Sequence, residues 1–229
     1  MRRAARPYLI CLAVLAAALL LSVAVGSVMI PLDTLAALIG QKLGGRAPDL
    51  ENAPLATILF SLRLPRTALV ALVGAALAGS GAGYQGLFRN PLADPYLIGV
   101  ASGAGLGAVI AISLRQSNAL GGMLVVPLAA FLSALLTVAV VYELARVGRT
   151  LPVTNMILAG VAVSSFATAA TSYLMINATG ELRRALLFLL GGATASGWQP
   201  VLAILPYIVI GLGGLLLTGH ALNVLQFGD

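Results

Sequence analysis

The chain has 229 residues, of which 60% are hydrophobic and only 9% charged, and its net charge is +6. Soluble domains carry about 25% charged residues, so this composition excludes an ordinary soluble domain and favours a membrane protein. The basic residues stand singly at the ends of apolar runs, which does not indicate nucleic-acid binding. One cysteine, Cys11, and one histidine, His220, exclude a disulfide framework and an intrachain Cys/His zinc site.

Several uncharged runs are long enough to cross a bilayer. A hydrocarbon core about 30 Å thick needs about 20 apolar residues in a helix. Lipid offers the backbone no hydrogen-bond partners, and the runs do not alternate as barrel strands do, so they predict helices. The predicted fold class is an all-α polytopic membrane protein, with one transmembrane domain over residues 1–229. The six predicted spans are 8–30, 67–87, 96–114, 119–142, 151–176 and 200–218.

The first run has a basic start and an apolar centre, as a secretory signal has. It is longer than a usual signal core and no convincing small-residue cleavage site follows it, so a retained helix is favoured over a cleaved signal. Cys11 lies within this run, and we expect it to be a buried, inert thiol.

The charges flanking the runs favour a cytoplasmic N-terminus. The number of basic residues on each side does not decide the orientation, because with the N-terminus inside six would face the cytoplasm and seven would face out. The basic flank of the first run and the basic pair in the loop after span four favour this orientation. The inward residues are Arg2, Arg3, Arg6, Arg89, Arg146 and Arg149, and the outward ones are Lys42, Arg46, Arg63, Arg66, Arg115, Arg183 and Arg184.

Two longer connections lie on the outer side. Residues 31–65 form a polar connection rich in glycine and proline. Residues 177–199 contain an apolar stretch, "ALLFLLGGATA", which is too short to span. We expect this stretch to form a re-entrant or interfacial helix.

The stretch "FRNPLADP" at 88–95 separates spans two and three. Asn90 before Pro91 is typical of a helix start, with an N-cap followed by proline at the first helical position, and Asp94 before Pro95 repeats the pattern. We expect a one-turn helix joined to the start of span three. Such a stiff loop suits a gate or a docking edge, and a plain tight turn is the alternative.

Small and weakly polar residues recur at every fourth position of span five: Gly160, Ser164, Thr168 and Ser172. This stripe is consistent with the lining of a water-filled path. Hydrogen bonding between helices is the alternative, because Ser and Thr do this routinely in membranes. The glycines of spans two and three predict close helix packing.

The block "RLPRTALVALVGAALAGSGAGYQGLFRNPLADPYLIGVASGAGLGA" at 63–108 resembles a known family. It is similar to the membrane subunit of type II ABC importers for ferric siderophores, haem and vitamin B12. The later stretches "TNMILAGVAVSSFATAATSYLM", "LLFLLGGATASGWQPV" and "HALNVLQFGD" resemble the same family in the same order. The resemblance covers essentially the whole chain.

The resemblance implies a transport subunit rather than an enzyme. It implies a second permease subunit, identical or not, cytoplasmic ATPase subunits, and a periplasmic or lipid-anchored binding protein, all at the cytoplasmic membrane of a bacterium or archaeon. ATP and magnesium would bind the ATPase, so we expect no cofactor in this chain. The sequence contains no G-x-x-x-x-G-K-[ST] phosphate loop.

The resemblance also implies roles for particular residues. Arg63 and Arg66 correspond to outward arginines that pair with carboxylates of the binding protein, as an arginine fork can do. Two loops correspond to the cytoplasmic gate, and span five corresponds to the wall of the path. The implied gate residues are Asn90, Leu92, Val153 and Thr154, and the implied path residues are Ser164, Thr168 and Ser172.

Family members usually have ten spans, so the chain looks truncated at its C-terminus. The alternative function is therefore a non-transporting membrane assembly protein derived from such a permease.

An intramembrane enzyme is a weaker alternative. His220 stands at the end of the last run, and Glu143 is a lone carboxylate near the end of span four, so no nucleophile–base pair or carboxylate pair is apparent.

Overall fold

The computed structural model of the chain describes residues 2–50, 52–114, 122–177, 182–191 and 197–226. No strand occurs in those ranges, which confirms the all-α prediction. The helices are α1 (Arg2–Ala24), α2 (Leu32–Leu43), α3 (Ala53–Thr57), α4 (Leu64–Phe88), α5 (Val100–Ser113), α6 (Gly122–Ala145), α7 (Val153–Asn177), α8 (Leu182–Leu189) and α9 (Gln199–Gln226). A π-helical turn (Ile58–Arg63) joins α3 to α4, and a 3-10 turn (Pro95–Ile98) precedes α5.

Five helical segments within the described residues are long and apolar enough to cross a membrane. The third predicted span differs, because residues 96–114 are not one helix. Gly99 has a φ of 82° and separates the 3-10 turn from α5, which has only 14 residues. The five segments are Arg6–Ala24, Ala53–Phe88, Val125–Ala145, Val153–Asn177 and Gln199–Val224.

The connection at 31–65 is more ordered than its composition indicated. It contains all of α2, and the second membrane-length helix already begins at Ala53. In the connection at 177–199, α8 covers part of the predicted short helix, and residues 192–196 lie outside the described residues. Cys11 is exposed on α1, so the expectation of a buried thiol was wrong. Its neighbours Leu12 and Val14 are exposed too, as side chains in contact with lipid would be.

The chain divides into two compact units, and α4 and α9 contribute residues to both. The first unit, Met1–Ala75 with Ala195–Tyr207, has a core formed by the end of α1, by α2 and by the α3–π segment. Val23, Leu38 and Leu59 are buried there. The second unit comprises Ala76–Thr194 and Ile208–Asp229, and in it α5 packs against α6 and α7.

The π-helical turn has a local cause in the sequence. Pro65 has no N–H, and in a regular α-helix its ring would clash with the carbonyl of Ser61. The helix widens just before this proline, where the N–H of Leu64 bonds to the carbonyl of Leu59, five residues back. The indole N–H of Trp198 donates to the carbonyl of Phe60 at 3.1 Å. Trp198 therefore ties the start of α9 to the wide turn.

Candidate functional site

The segment after α4 reverses the chain through a Schellman motif. The N–H of Asn90 bonds to the carbonyl of Gln85 at 3.2 Å, and the N–H of Arg89 bonds to the carbonyl of Gly86 at 3.3 Å. Arg89 has a φ of 51°, in the left-handed region where glycine or asparagine is usual. The side chain of Asn90 then accepts from the N–H of Leu92 at 2.9 Å. Asn90 therefore stabilises a turn, and no helical turn forms at 91–94.

Asp94 is the N-cap of the 3-10 turn, and its carboxylate accepts from the N–H of Tyr96 at 2.8 Å. The turn ends at Gly99, whose left-handed conformation redirects the chain into α5. A Cβ at position 99 would also lie 2.8 Å from the hydroxyl of Ser164 on α7. Both the backbone conformation and the packing at this corner therefore favour glycine.

The segment 88–98 packs against the start of α7, and we call this contact the loop contact. Gly160 of α7 lies against the carbonyl of Leu97, and an added Cβ would overlap that oxygen. A cavity of about 20 Å³ lies between the two parts. The cavity is lined by Phe88, Asn90, Ala93, Asp94, Leu97, Ile98, Val153, Met156 and Ile157.

This contact brings two of the four predicted gate residues together. Asn90 and Val153 line the same cavity, whereas Leu92 and Thr154 do not. Leu92 is 83% exposed, and Thr154 is exposed at the start of α7. A gating role for any of the four stays a prediction.

A larger groove runs along α7 in the same unit, with a volume of about 550 Å³. The predicted path residues Ser164, Thr168 and Ser172 all line it, whereas Gly160 packs against the 3-10 turn instead. Leu97 lines both the groove and the small cavity, so one end of the groove adjoins the loop contact. The groove is lined by Tyr96, Leu97, Val161, Ser164, Ser165, Thr168, Ala169 and Ser172.

The hydroxyls of the groove are partly committed to their own helix. Ser165 donates to the carbonyl of Val161 at 2.8 Å, and Ser172 donates to the carbonyl of Thr168 at 2.9 Å. A hydroxyl whose proton is used in this way offers only acceptor lone pairs to a passing molecule. The wall is therefore weakly polar, which suits passage more than tight binding.

The two predicted docking arginines lie in different environments. The guanidinium of Arg63 donates to the carbonyls of Val23 and Ala24 at 2.8 and 2.9 Å, and it also contacts the carbonyl of Val28. Val23 and Ala24 are the last residues of α1, so Arg63 acts as a C-terminal cap for that helix. Arg66, one turn later on α4, is exposed.

Metal-binding side chains are dispersed along the chain. In the described ranges, no three His, Cys, Asp or Glu side chains come close enough together to hold a metal ion. His220 is exposed near the end of α9.

Comparison with known proteins places the chain in a family. The family model of the FecCD transport family matches residues 14–229. The chain belongs to this family. The family assignment confirms the resemblance inferred from the 63–108 block and from the later stretches.

Three curated relatives are similar to the chain. An uncharacterized ABC transporter permease protein, YvrB of Bacillus subtilis, is 37% identical over 97% of this chain and 63% of its own length. The cobalamin import system permease protein BtuC of Halobacterium salinarum is 44% identical over 75% of this chain and 46% of its own length. The Fe(3+)-citrate import system permease protein YfmD of Bacillus subtilis is 37% identical over 75% of this chain and 50% of its own length.

A solved structure has the same fold. It is described as an inward-facing conformation of a transporter of the metal-chelate type, with a TM-score of 0.72 and 25% identity. The match covers 94% of this chain and 62% of that one. The chain thus spans about half to two thirds of the length of these relatives. The relatives are permeases, and they do not support the alternative of an assembly protein.

Sequence reasoning missed several residues of the site. Phe88, Leu97 and Met156 line the loop contact, and Tyr96 lines the groove. Phe88 stands at the edge of the quoted "FRNPLADP" stretch, and its position beside the capping residues was an available signal. Tyr96 and Leu97 looked like the start of a span, because nothing in their apolar character indicated a 3-10 turn.

Proposed function

We propose that the chain is a permease subunit of an ABC importer and that the groove on α7 is its half of the translocation path. The observation that carries this proposal is the position of the groove. Its Ser and Thr side chains lead to the place where the segment 88–98 meets the start of α7. A weakly polar wall that ends at the loop contact is an arrangement that suits a gated path.

The 3-10 turn is the element that closes the path in this proposal. It is capped at one end by Asp94 and ended at the other by Gly99, so it is short and rigid. Leu97 belongs to this turn and lines both spaces. A small rotation of α7 against the turn would therefore widen or narrow the groove and the cavity together. Asn90 and Val153 lie at the contact, and Leu92 and Thr154 lie outside it and are exposed to the cytoplasm in the proposed orientation.

The partners follow from the family. A second permease subunit would complete the path, and separate ATPase subunits would bind ATP and magnesium on the cytoplasmic side. A binding protein would deliver the cargo from outside. Because two relatives are named for the import of cobalamin and ferric citrate, we propose a metal chelate or a cobalamin as the cargo. The proposed location is the cytoplasmic membrane of a prokaryote, with the N-terminus inside.

Arg66 is the better candidate for docking the binding protein. Its guanidinium is exposed, whereas that of Arg63 is engaged with the end of α1. We expect Arg66→Glu to weaken capture of the binding protein about tenfold or more, because a fixed charge pair becomes a repulsive one. Arg149→Glu is the matched control, since Arg149 is also exposed and lies in the loop before α7. Equal capture by the wild type and Arg66→Glu would remove the docking role.

The transport proposal is tested by reconstitution. The complete transporter that contains this chain is placed in proteoliposomes with its ATPase and binding protein, and uptake of labelled cobalamin and of labelled ferric citrate is measured with and without ATP. The proposal predicts ATP-dependent accumulation of one of the two chelates. A transporter that assembles and hydrolyses ATP but accumulates neither would exclude cobalamin and ferric citrate as its cargo.

A further inference from the structure

A separate pocket of about 270 Å³ lies in the first unit, between α2 and the start of the helix at Ala53. We propose that it binds the headgroup of an anionic phospholipid that carries hydroxyl donors, such as phosphatidylglycerol. The pocket shares no lining residue with the groove or with the loop contact. It is lined by Leu38, Gln41, Lys42, Arg46, Pro48, Ala53, Ala56, Thr57, Phe60 and Ser61.

The charge of the pocket favours an anion. Lys42 and Arg46 both line it, and the ammonium of Lys42 lies 5.6 Å from the centre of the Phe60 ring. Just beyond the lining, the carboxylate of Asp49 accepts from the amide Nε2 of Gln41 at 3.1 Å. The described lining residues thus include two cations and no carboxylate, and a phosphate group would balance part of this positive charge.

A ligand that also donates a hydrogen bond would match Gln41, whose side chain lines the pocket. The Oε1 atom of Gln41 is a buried side-chain oxygen without a partner, the one such atom in the described part of the chain. The amide cannot be turned round to relieve it, because its NH₂ group must face the carboxylate of Asp49, which only accepts. An unpaired buried acceptor costs free energy until a donor arrives. The glycerol hydroxyls of phosphatidylglycerol supply that donor beside the phosphate.

The depth of the pocket fits the headgroup layer. Arg63 binds the carbonyls that end α1, the first membrane-length helix, so its guanidinium marks the edge of the hydrocarbon. Thr57 and Ser61 lie about 3–9 Å farther along the helix axis at 1.5 Å per residue. The headgroup layer is about 5–7 Å thick on each side of the hydrocarbon. The pocket therefore begins where phosphate groups lie.

Apolar side chains beside the pocket favour a lipid over a free anion. Leu43 is 84% exposed next to Lys42, and Leu50 is 96% exposed next to Asp49. Exposure to water gives these leucines no favourable free energy. Beside a lipid they would contact its glycerol-backbone and acyl carbons.

The test is native mass spectrometry of the full chain, delipidated in detergent and titrated with lipids that have the same acyl chains. Phosphatidylglycerol is compared with phosphatidylmethanol, which has the same charge but no hydroxyl donor, and with phosphatidylcholine. We expect one tightly bound phosphatidylglycerol, weaker binding of phosphatidylmethanol and the weakest binding of phosphatidylcholine. Equal binding of all three would overturn the proposal.

Variants locate the site. Lys42→Gln with Arg46→Gln should lower phosphatidylglycerol binding about tenfold, because each cation near anionic lipid contributes to affinity. The control, Arg146→Gln with Arg149→Gln, removes the same charge elsewhere and should change binding less than twofold. Equal losses in the two double variants would overturn the assignment to this pocket.

A third variant tests the donor requirement. Gln41→Met removes the unpaired oxygen at similar length, so it should abolish the preference for phosphatidylglycerol over phosphatidylmethanol. This preference is a ratio measured within one variant, so a general loss of stability does not produce it. Release of the bound lipid by millimolar inorganic phosphate would assign the pocket to a free anion and overturn the lipid assignment.

Discussion

The cap that Arg63 places on α1 predicts a large difference between two arginines three residues apart. Its two regular hydrogen bonds, at 2.8 and 2.9 Å, join a charged donor to carbonyls that have no partner in their own helix. A hydrogen bond to a charged group contributes about 1.5 kcal/mol at the low end, so Arg63→Gln should destabilise the first unit by about 3 kcal/mol. In a chain of this length that corresponds to a fall in Tm of about 6–12 °C. Arg66→Gln should cost no more than about 0.5 kcal/mol, because its side chain is exposed.

The assay is thermal unfolding in detergent, followed by tryptophan fluorescence. Trp198 is the single tryptophan in the sequence, and it donates to Phe60 within the same unit, so its emission reports on that unit. Gly26→Ala tests the cap independently, because a Cβ there would lie 2.6 Å from the Nη2 atom of Arg63. Equal Tm values for Arg63→Gln and Arg66→Gln would refute the cap and restore both side chains as docking candidates.

Three further predictions concern local contacts, and each is checked by the same unfolding assay. Gly160→Ala should cost about 1–3 kcal/mol and loosen the loop contact, since its Cβ would overlap the carbonyl of Leu97, whereas Gly211→Ala, with open space around it, should be neutral or slightly stabilising. Asp94→Ala should cost about 1 kcal/mol through loss of the cap, and Asp94→Asn should retain most of the stability. Trp198→Phe removes one hydrogen bond and should cost about 0.5–1.5 kcal/mol, with circular dichroism replacing fluorescence for this variant. The contact of Gly160 is contradicted if Gly160→Ala leaves the stability to unfolding unchanged. The cap is contradicted if Asp94→Asn is as unstable as Asp94→Ala. The hydrogen bond of Trp198 is contradicted if Trp198→Phe is as stable as the wild type.

The features that the sequence predicted well are those set by local chemistry. A length of apolar chain has few structures open to it in lipid, so the membrane helices followed from composition and spacing. The four-residue recurrence of Ser164, Thr168 and Ser172 placed them on one helix face, and all three line the groove. The capping pattern of Asp94 and Pro95 needs only adjacent residues, and its hydrogen bond is present in the structure.

The features that the sequence did not predict depend on distant partners or on backbone geometry. The carbonyls that Arg63 caps are about forty residues earlier in the chain, and nothing near Arg63 indicates them. Gly99 breaks an uncharged run that looked continuous, because its left-handed conformation is not visible in composition. The Schellman end of α4 was missed because Arg89 occupies the position that glycine usually takes.

Water access along α7 tests the proposed translocation path most directly. In the complete transporter with Cys11→Ser as the background, Ser164→Cys, Thr168→Cys and Ser172→Cys are labelled with a charged, water-soluble thiol reagent. Phe166→Cys is the control on the same helix, because Phe166 is 74% exposed but does not line the groove. The account predicts rapid labelling at the three groove positions, at a rate that changes with ATP, and slow labelling at 166. Labelling at 166 as fast as at 164, 168 and 172 would contradict the proposed path.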